Sequence, residues 1–296
     1  MTPRRALLLA APLLAAPRLS RAAPARLVVA GGGLAEIVVA LGAREALVGV
    51  DSTSLFPAAL TRLPQIGYLR QLSAEGVLSL RPDLLLLAQE AGPPGAVAQL
   101  RAAGLRVVQA GRVQSPEELA EAIHLVAGAL ERRAAGRALA AAVAADFAAL
   151  EAGLPRAAPS PRALFLLAVG GGAPMASGRG TAAAAMLRLA GARSAVESYE
   201  GYRPLGAEAA LAAAPDWLVA PAHSVQALGG RERFLAQPAL ALLPAARQGR
   251  LAAFDMLYLL GFGPRTPHAA RDLAAALHGE AAVARLPERP WLGEAA

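Results

Sequence analysis

Residues 67–88, GYLRQLSAEGVLSLRPDLLLLA, return in altered form as GYRPLGAEAALAAAPDWLVAP at residues 201–221. Aligned from Leu72 and Leu205, two 17-residue windows agree at seven positions: Leu72/Leu205, Ala74/Ala207, Glu75/Glu208, Leu78/Leu211, Pro82/Pro215, Asp83/Asp216 and Leu85/Leu218. The offset is 133 residues, close to half of the 296-residue chain. Each copy reads as a short helix with a carboxylate in its first turn, where the helix dipole favours negative charge, followed by Pro-Asp and a buried strand. A phrase repeated at this spacing predicts two related halves.

The surrounding pattern is α/β. RLVVAGGGLAEIVVALGA gives a β-branched run, a glycine cluster at Gly31 to Gly33 and an apolar run at helical spacing. ALVGVDS, DLLLLA and LRVVQA are short buried-strand candidates, with helices in SAEGVLSLRP and PPGAVAQLRAAG between them. Strands alternating with helices predict parallel α/β layers. RALFLLAVGGG, GTAAAAMLRLAGA, DWLVAP, GRLAAFD and a last helix near residues 266–278 restore the same alternation in the second half.

Between the halves, some forty residues from Ser115 contain almost no strand formers. Ser115 as cap, Pro116 at the first helical position and Glu118 three residues beyond the cap open this segment. Gly128 is expected to break it into a lobe helix and a longer helix over about residues 130–153, ended by Gly153 and Pro155. The predicted fold is two α/β lobes joined by a single long α-helix, with a ligand cleft between the lobes. The predicted division is a signal peptide over 1–23, an N-terminal lobe over 24–129, the interlobe helix over 130–155 and a C-terminal lobe over 156–296.

The N-terminus pairs Arg4 and Arg5 with an apolar run from Ala6 to Ala16 and small residues near Ala22 and Ala23, the outline of a secretory signal peptide. The run is shorter than the roughly 20 residues a bilayer requires and is broken by Pro12 and Pro17. General export and twin-arginine export both fit; either delivers the mature chain to the periplasm. With no cysteine, there is no disulfide framework, thiolate nucleophile or thiolate metal site. The formal charge of +7 comes from arginines alone, scattered rather than clustered, and aromatics make up 4% of the chain. A basic groove with stacking platforms for nucleic acid is therefore not expected.

Other chemistry is sparse. His124, His223, His268 and His278 form no HxH, HExxH or His/carboxylate cluster, which leaves a dedicated zinc site without ligands. Gly31 to Gly33 and Gly170 to Gly172 stand at strand-to-helix junctions but lack both the Lys-Ser/Thr of a phosphate loop and the full dinucleotide spacing, so they read as tight turns. No Gly-x-Ser-x-Gly elbow marks an exported α/β hydrolase, which stays an alternative of a different class because a triad assembled in space leaves no motif.

Taken in order, LVGVDSTS, GYLRQLSAEG, PMASGRGTAAAAMLRLAG, GYRPLGAEA and LLGFGPRTP resemble the periplasmic hemin-binding proteins of bacterial ABC importers along nearly the whole mature chain. That resemblance implies a monomeric, non-enzymatic receptor that binds haem (hemin) in the cleft and hands it to an inner-membrane permease dimer. Receptors for another iron chelate or for a cobalamin-like corrinoid are the alternatives in the same class. Tyr68 becomes the expected axial ligand, because ferric iron is a hard Lewis acid and a phenolate is a hard oxygen donor. A free phenol titrates at about 10, so the anion needs the metal and nearby positive charge such as Arg70. Arg70 equally suits a haem propionate. Tyr202, after Gly201 in the second copy, is expected at the pocket edge, as a wall rather than a ligand.

Met175 is expected as an apolar wall, Phe262 as a pocket contact, and Arg265 as either a propionate partner or a structural ion pair. In the resemblance, some members carry a histidine where this chain has Val169, which implies one haem with a single protein ligand here. Glu75 and Glu208 are the expected docking points for the permease.

Overall fold

The computed structural model describes residues 24–155 and 159–293; the expected signal peptide lies outside them. The first sheet is wholly parallel, in the order β2-β1-β3-β4, built from β1 (Leu27–Ala30), β2 (Leu47–Val50), β3 (Leu84–Leu87) and β4 (Arg106–Gln109). The second contains β5 (Arg162–Ala168), β6 (Met175–Ser177), β7 (Arg193–Ser194), β8 (Tyr202–Pro204), β9 (Trp217–Pro221) and β10 (Leu251–Phe254), ordered β10-β9-β5-β6-β8 with β7 beside β5. In that sheet β10, β9, β5 and β7 pair in parallel, whereas β6 and β8 form an antiparallel flap.

The continuous apolar runs are explained by burial on both faces, as parallel sheets require. Leu27, Val29, Leu84 and Leu86 point to one side of the first sheet, against helices α1 (Gly32–Ala40) and α4 (Pro116–Ala129). Val28, Ala30, Leu85 and Leu87 point to the other, against α2 (Ala74–Ser79) and α3 (Pro94–Ala102). The second sheet divides likewise, with Ala163, Phe165 and Val219 facing α6 (Ala182–Leu189) and the helix Thr266–His278. Leu164, Leu166 and Leu218 face the side that holds α7 (Ala207–Ala213).

Helix α5 (Arg133–Gly153) joins the lobes: Leu139, Ala140, Val143 and Phe147 sit in the first core and Leu150 in the second. Ser115 caps α4 by accepting the Glu118 amide (3.2 Å), and Pro116 opens the helix. The expected break at Gly128 falls elsewhere. Gly128 is helical, and the chain turns at Glu131, whose φ is 58°. Two anchors set the turn there: Leu130 is buried in the first core, and the Arg132 guanidinium donates to the Leu41 carbonyl (3.1 Å). Helix α5 then crosses α4 so closely at Gly136 that any β-carbon would collide with that of Ala127.

The repeated phrase has a structural counterpart. The Asp83 carboxylate accepts the Arg26 amide (2.9 Å) at the start of β1, and the Asp216 carboxylate accepts the Arg162 amide (2.8 Å) at the start of β5. In return, the Arg26 guanidinium donates to the Leu80 carbonyl (2.7 Å) at the end of α2, and that of Arg162 to the Ala213 carbonyl (2.8 Å) at the end of α7. Arg81 and Ala214, again 133 residues apart, are both left-handed, at φ 47° and 43°. Each lobe thus ties helix end, Pro-Asp turn and neighbouring strand into one knot.

Candidate ligand cleft

Tyr68 lies on the loop between β2 and α2. Gly67, at φ 87°, makes the turn, and its carbonyl accepts the Ser52 amide (2.9 Å). Tyr68 itself is extended and begins a single 3-10 turn, Leu69–Gln71. Leu69 and Leu72 are buried beneath the loop and exchange backbone bonds with Gly92 (2.8 and 2.7 Å). Pinned on both sides, the loop holds the Tyr68 ring 42% exposed, the arrangement of a side chain presented outward rather than packed. Arg70 is exposed two residues on.

The second lobe contributes the β6–β8 flap, where Met175 pairs with Pro204 and Ser177 with Tyr202. Met175 is partly exposed there. The half-buried Tyr202 ring meets Phe165 edge-to-face (6.5 Å, 64°). Burial raises the Tyr202 pKa, opposed by the polar groups at the start of α6 and by the positive charge of Arg70. The charge of Arg70 in the first lobe is thus felt at Tyr202 of the second. Tyr202 packs against the core of the second lobe. Arg203, next on the same strand and exposed, points to the opposite face, stacked at 5.6 Å over Tyr199. The short flap left no periodic signal.

Two expected pocket residues lie elsewhere. Phe262 is only 3% exposed, in the core of the second lobe, and its backbone is left-handed (φ 48°). Arg265 donates from Nε (3.0 Å) and Nη2 (2.6 Å) to the Glu36 carboxylate of the first lobe. Of the two roles expected for it, the structure selects the ion pair. Its remaining edge borders a cavity of about 590 Å³ lined by Leu55, Phe56, Tyr258 and Asp272, which does not include Tyr68.

Gly31 to Gly33 serve close packing. The Asp51 carboxylate, fully buried, accepts the Gly31 amide (2.9 Å) and both hydroxyls of Thr53 and Ser54. A β-carbon on Gly33 would strike the Gly261 carbonyl of the other lobe. Gly170 to Gly172 all have positive φ, as a tight turn requires. Val169 is half-buried against the second core. His124 and His223 are exposed on helices, His278 bonds the Ala190 carbonyl (3.1 Å) and His268 the Pro287 carbonyl (2.9 Å). Among the described residues no cluster of His, Cys, Asp and Glu could hold a metal ion, and no helix is long and apolar enough to cross a membrane.

The architecture has well-matched counterparts. The periplasmic heme-binding protein BhuT in complex with two hemes is 44% identical, with 87% of this chain and 99% of that one covered and a TM-score of 0.82. RhuT from Roseiflexus sp. RS-1, a periplasmic heme-binding protein in apo form, is 40% identical over 87% of this chain and 98% of its own (TM-score 0.82). A periplasmic heme binding protein from Pseudomonas aeruginosa is 36% identical over 90% and 96% (TM-score 0.77). An uncharacterized ABC transporter substrate-binding lipoprotein of Bacillus subtilis, YvrC, is 31% identical over 103 residues; the match spans about a third of either chain. Residues 27–256, most of this sequence and both sheets within it, match the periplasmic binding protein family, and the chain belongs to that family.

Proposed function

We propose that this chain is an exported haem receptor: it binds hemin between its lobes, without chemical conversion, and delivers it to the inner-membrane permease of an ABC importer. In this reading residues 1–23 are the cleaved signal peptide, 24–129 and 156–296 the lobes and 130–155 the connection. The observation that carries it is the pinned loop that presents Tyr68 beside Arg70, whose charge reaches Tyr202 of the opposite lobe. Similarity to three heme-binding proteins at 36–44% identity supports the same ligand.

Tyr68 supplies the phenolate to ferric iron, a hard donor for a hard acid. Arg70 supplies positive charge to the phenolate or to a propionate. Tyr202 and Met175 form the wall. Val169 offers no donor, so one haem per chain with one protein ligand is expected. Glu75 and Glu208, exposed on α2 and α7, meet basic residues of the permease, where rim charges set encounter rate and orientation. The test is hemin titration of the purified apo-protein: a high-spin ferric spectrum that saturates at one equivalent, with the macrocycle recovered intact, is the expected result. Absence of binding, or recovery of a cleaved macrocycle, contradicts it.

A further inference from the structure

The local fold accounts for most of the repeated phrase. Leu72 and Leu205 are buried, Leu85 and Leu218 are buried strand residues, and Asp83 and Asp216 anchor β1 and β5. Val77 and Ala210, also 133 residues apart, are the buried inward faces of α2 and α7. The pairs Glu75/Glu208 and Leu78/Leu211 have no such role. Glu75 and Glu208 are exposed and, among the described residues, enter no ion pair. Leu78 and Leu211, one turn further on, are 36% and 49% exposed.

A single exposed leucine needs no explanation. Here two occupy equivalent places in the two lobes, each on the same helix face as an exposed carboxylate three residues earlier. We infer that Glu75–Leu78 and Glu208–Leu211 form a duplicated contact, in which each carboxylate meets a cation and each leucine enters an apolar socket of a partner with two-fold symmetry. A duplicated patch on a single chain matches a partner whose own two copies are related by a two-fold axis. An anionic bilayer would repel the carboxylates. A second copy of this chain would set like charges together. The inference rests on the permease reading and adds the apolar half of the contact and the equivalence of its two ends.

The test uses the haem-loaded chain and the permease–ATPase complex of its own importer in nanodiscs, with binding kinetics followed at several salt concentrations. Leu78→Ser and Leu211→Ser should each weaken the complex by on the order of tenfold, mainly through faster dissociation, with the salt dependence unchanged. Glu75→Gln and Glu208→Gln should slow association and flatten the salt dependence. The two leucine effects should be similar in size and additive. If the glutamate variants are impaired and the leucine variants bind like the parent, the apolar contact is wrong and the docking reading stands. If all four bind like the parent, the docking reading itself fails. A leucine variant that melts earlier or loses haem places that leucine in the fold and overturns the inference.

Discussion

Glu36 and Arg265 close a two-pronged ion pair between the lobes, with the guanidinium 3.5 Å from the centroid of the Phe56 ring. Glu36 is 5% exposed, and burial pushes its carboxyl pKa up while Arg265 pulls it down. Removal of one partner strands a buried charge, so Arg265→Ala should lose about 3–5 kcal/mol of stability. Without Arg265 the folded-state pKa of Glu36 rises further above its unfolded value. A raised carboxyl stabilises the fold below the unfolded pKa and loses that contribution as pH rises through the folded one. The deficit relative to the parent should therefore be smaller near pH 5 than at pH 8, as measured by denaturant unfolding. A pH-independent deficit would mean that Glu36 is not stranded.

The paired knots predict related losses, larger in the first lobe. Asp83→Ala should cost about 1–2 kcal/mol, because it removes charge-assisted bonds to the Ala25 and Arg26 amides, and Asp216→Ala, which removes one bond to the Arg162 amide, should cost less. Ala214→Gly should raise stability by up to about 1 kcal/mol by relieving a left-handed alanine. Thermal unfolding of the three variants measures both, and no loss for either aspartate would deny the structural equivalence of the repeat.

The lobe contact at Gly33 leaves no room for a side chain. Gly33→Ala pushes a β-carbon into the Gly261 carbonyl, backbone against backbone, and should cost at least about 2 kcal/mol. Gly95→Ala, in α3 with open space at the same atom, should be neutral or stabilising by up to about 1 kcal/mol. Equal stabilities for the two variants would show that the lobes separate freely at this point.

Arg70→Ala should weaken hemin retention, by roughly tenfold if its charge supports the phenolate or a propionate. Arg265→Ala, assayed at a temperature where it remains folded, should retain hemin better, since its guanidinium is committed to Glu36. Competition with apomyoglobin measures both, and the reverse order would place Arg265 in the pocket.

The fold was legible because the signals that specify it are local. Four-residue leucine and valine runs, the Ser115-Pro116 helix start and the repeated Pro-Asp each announce an element within a few residues. The break at Glu131 was not, since Leu130 and Arg132 set it through contacts with the first core and with Leu41, distant in sequence. The β6–β8 flap pairs Met175–Ser177 with Tyr202–Pro204, too short for any periodicity to register. Tyr68 and Arg70 could be singled out by chemistry and resemblance together. Arg265 looked equally suited to a propionate, because its partner Glu36 lies 229 positions away. Phe262 looked like a pocket aromatic, but it is buried among residues such as Phe165 and Leu273 that lie far from it in sequence. Asp83 was visible as part of the repeat, but its partner Arg26 was hidden in an ordinary strand start.

The central claim is that Tyr68 holds the iron, and hemin titration of Tyr68→Phe beside the parent tests it most directly. Phenylalanine keeps the ring and removes the oxygen on an exposed loop, so folding should be unaffected. The account predicts loss of the phenolate-to-iron charge-transfer band and at least a tenfold fall in affinity, with an unchanged melting temperature for the apo-protein. The same high-spin ferric spectrum and the same affinity in both proteins would contradict it.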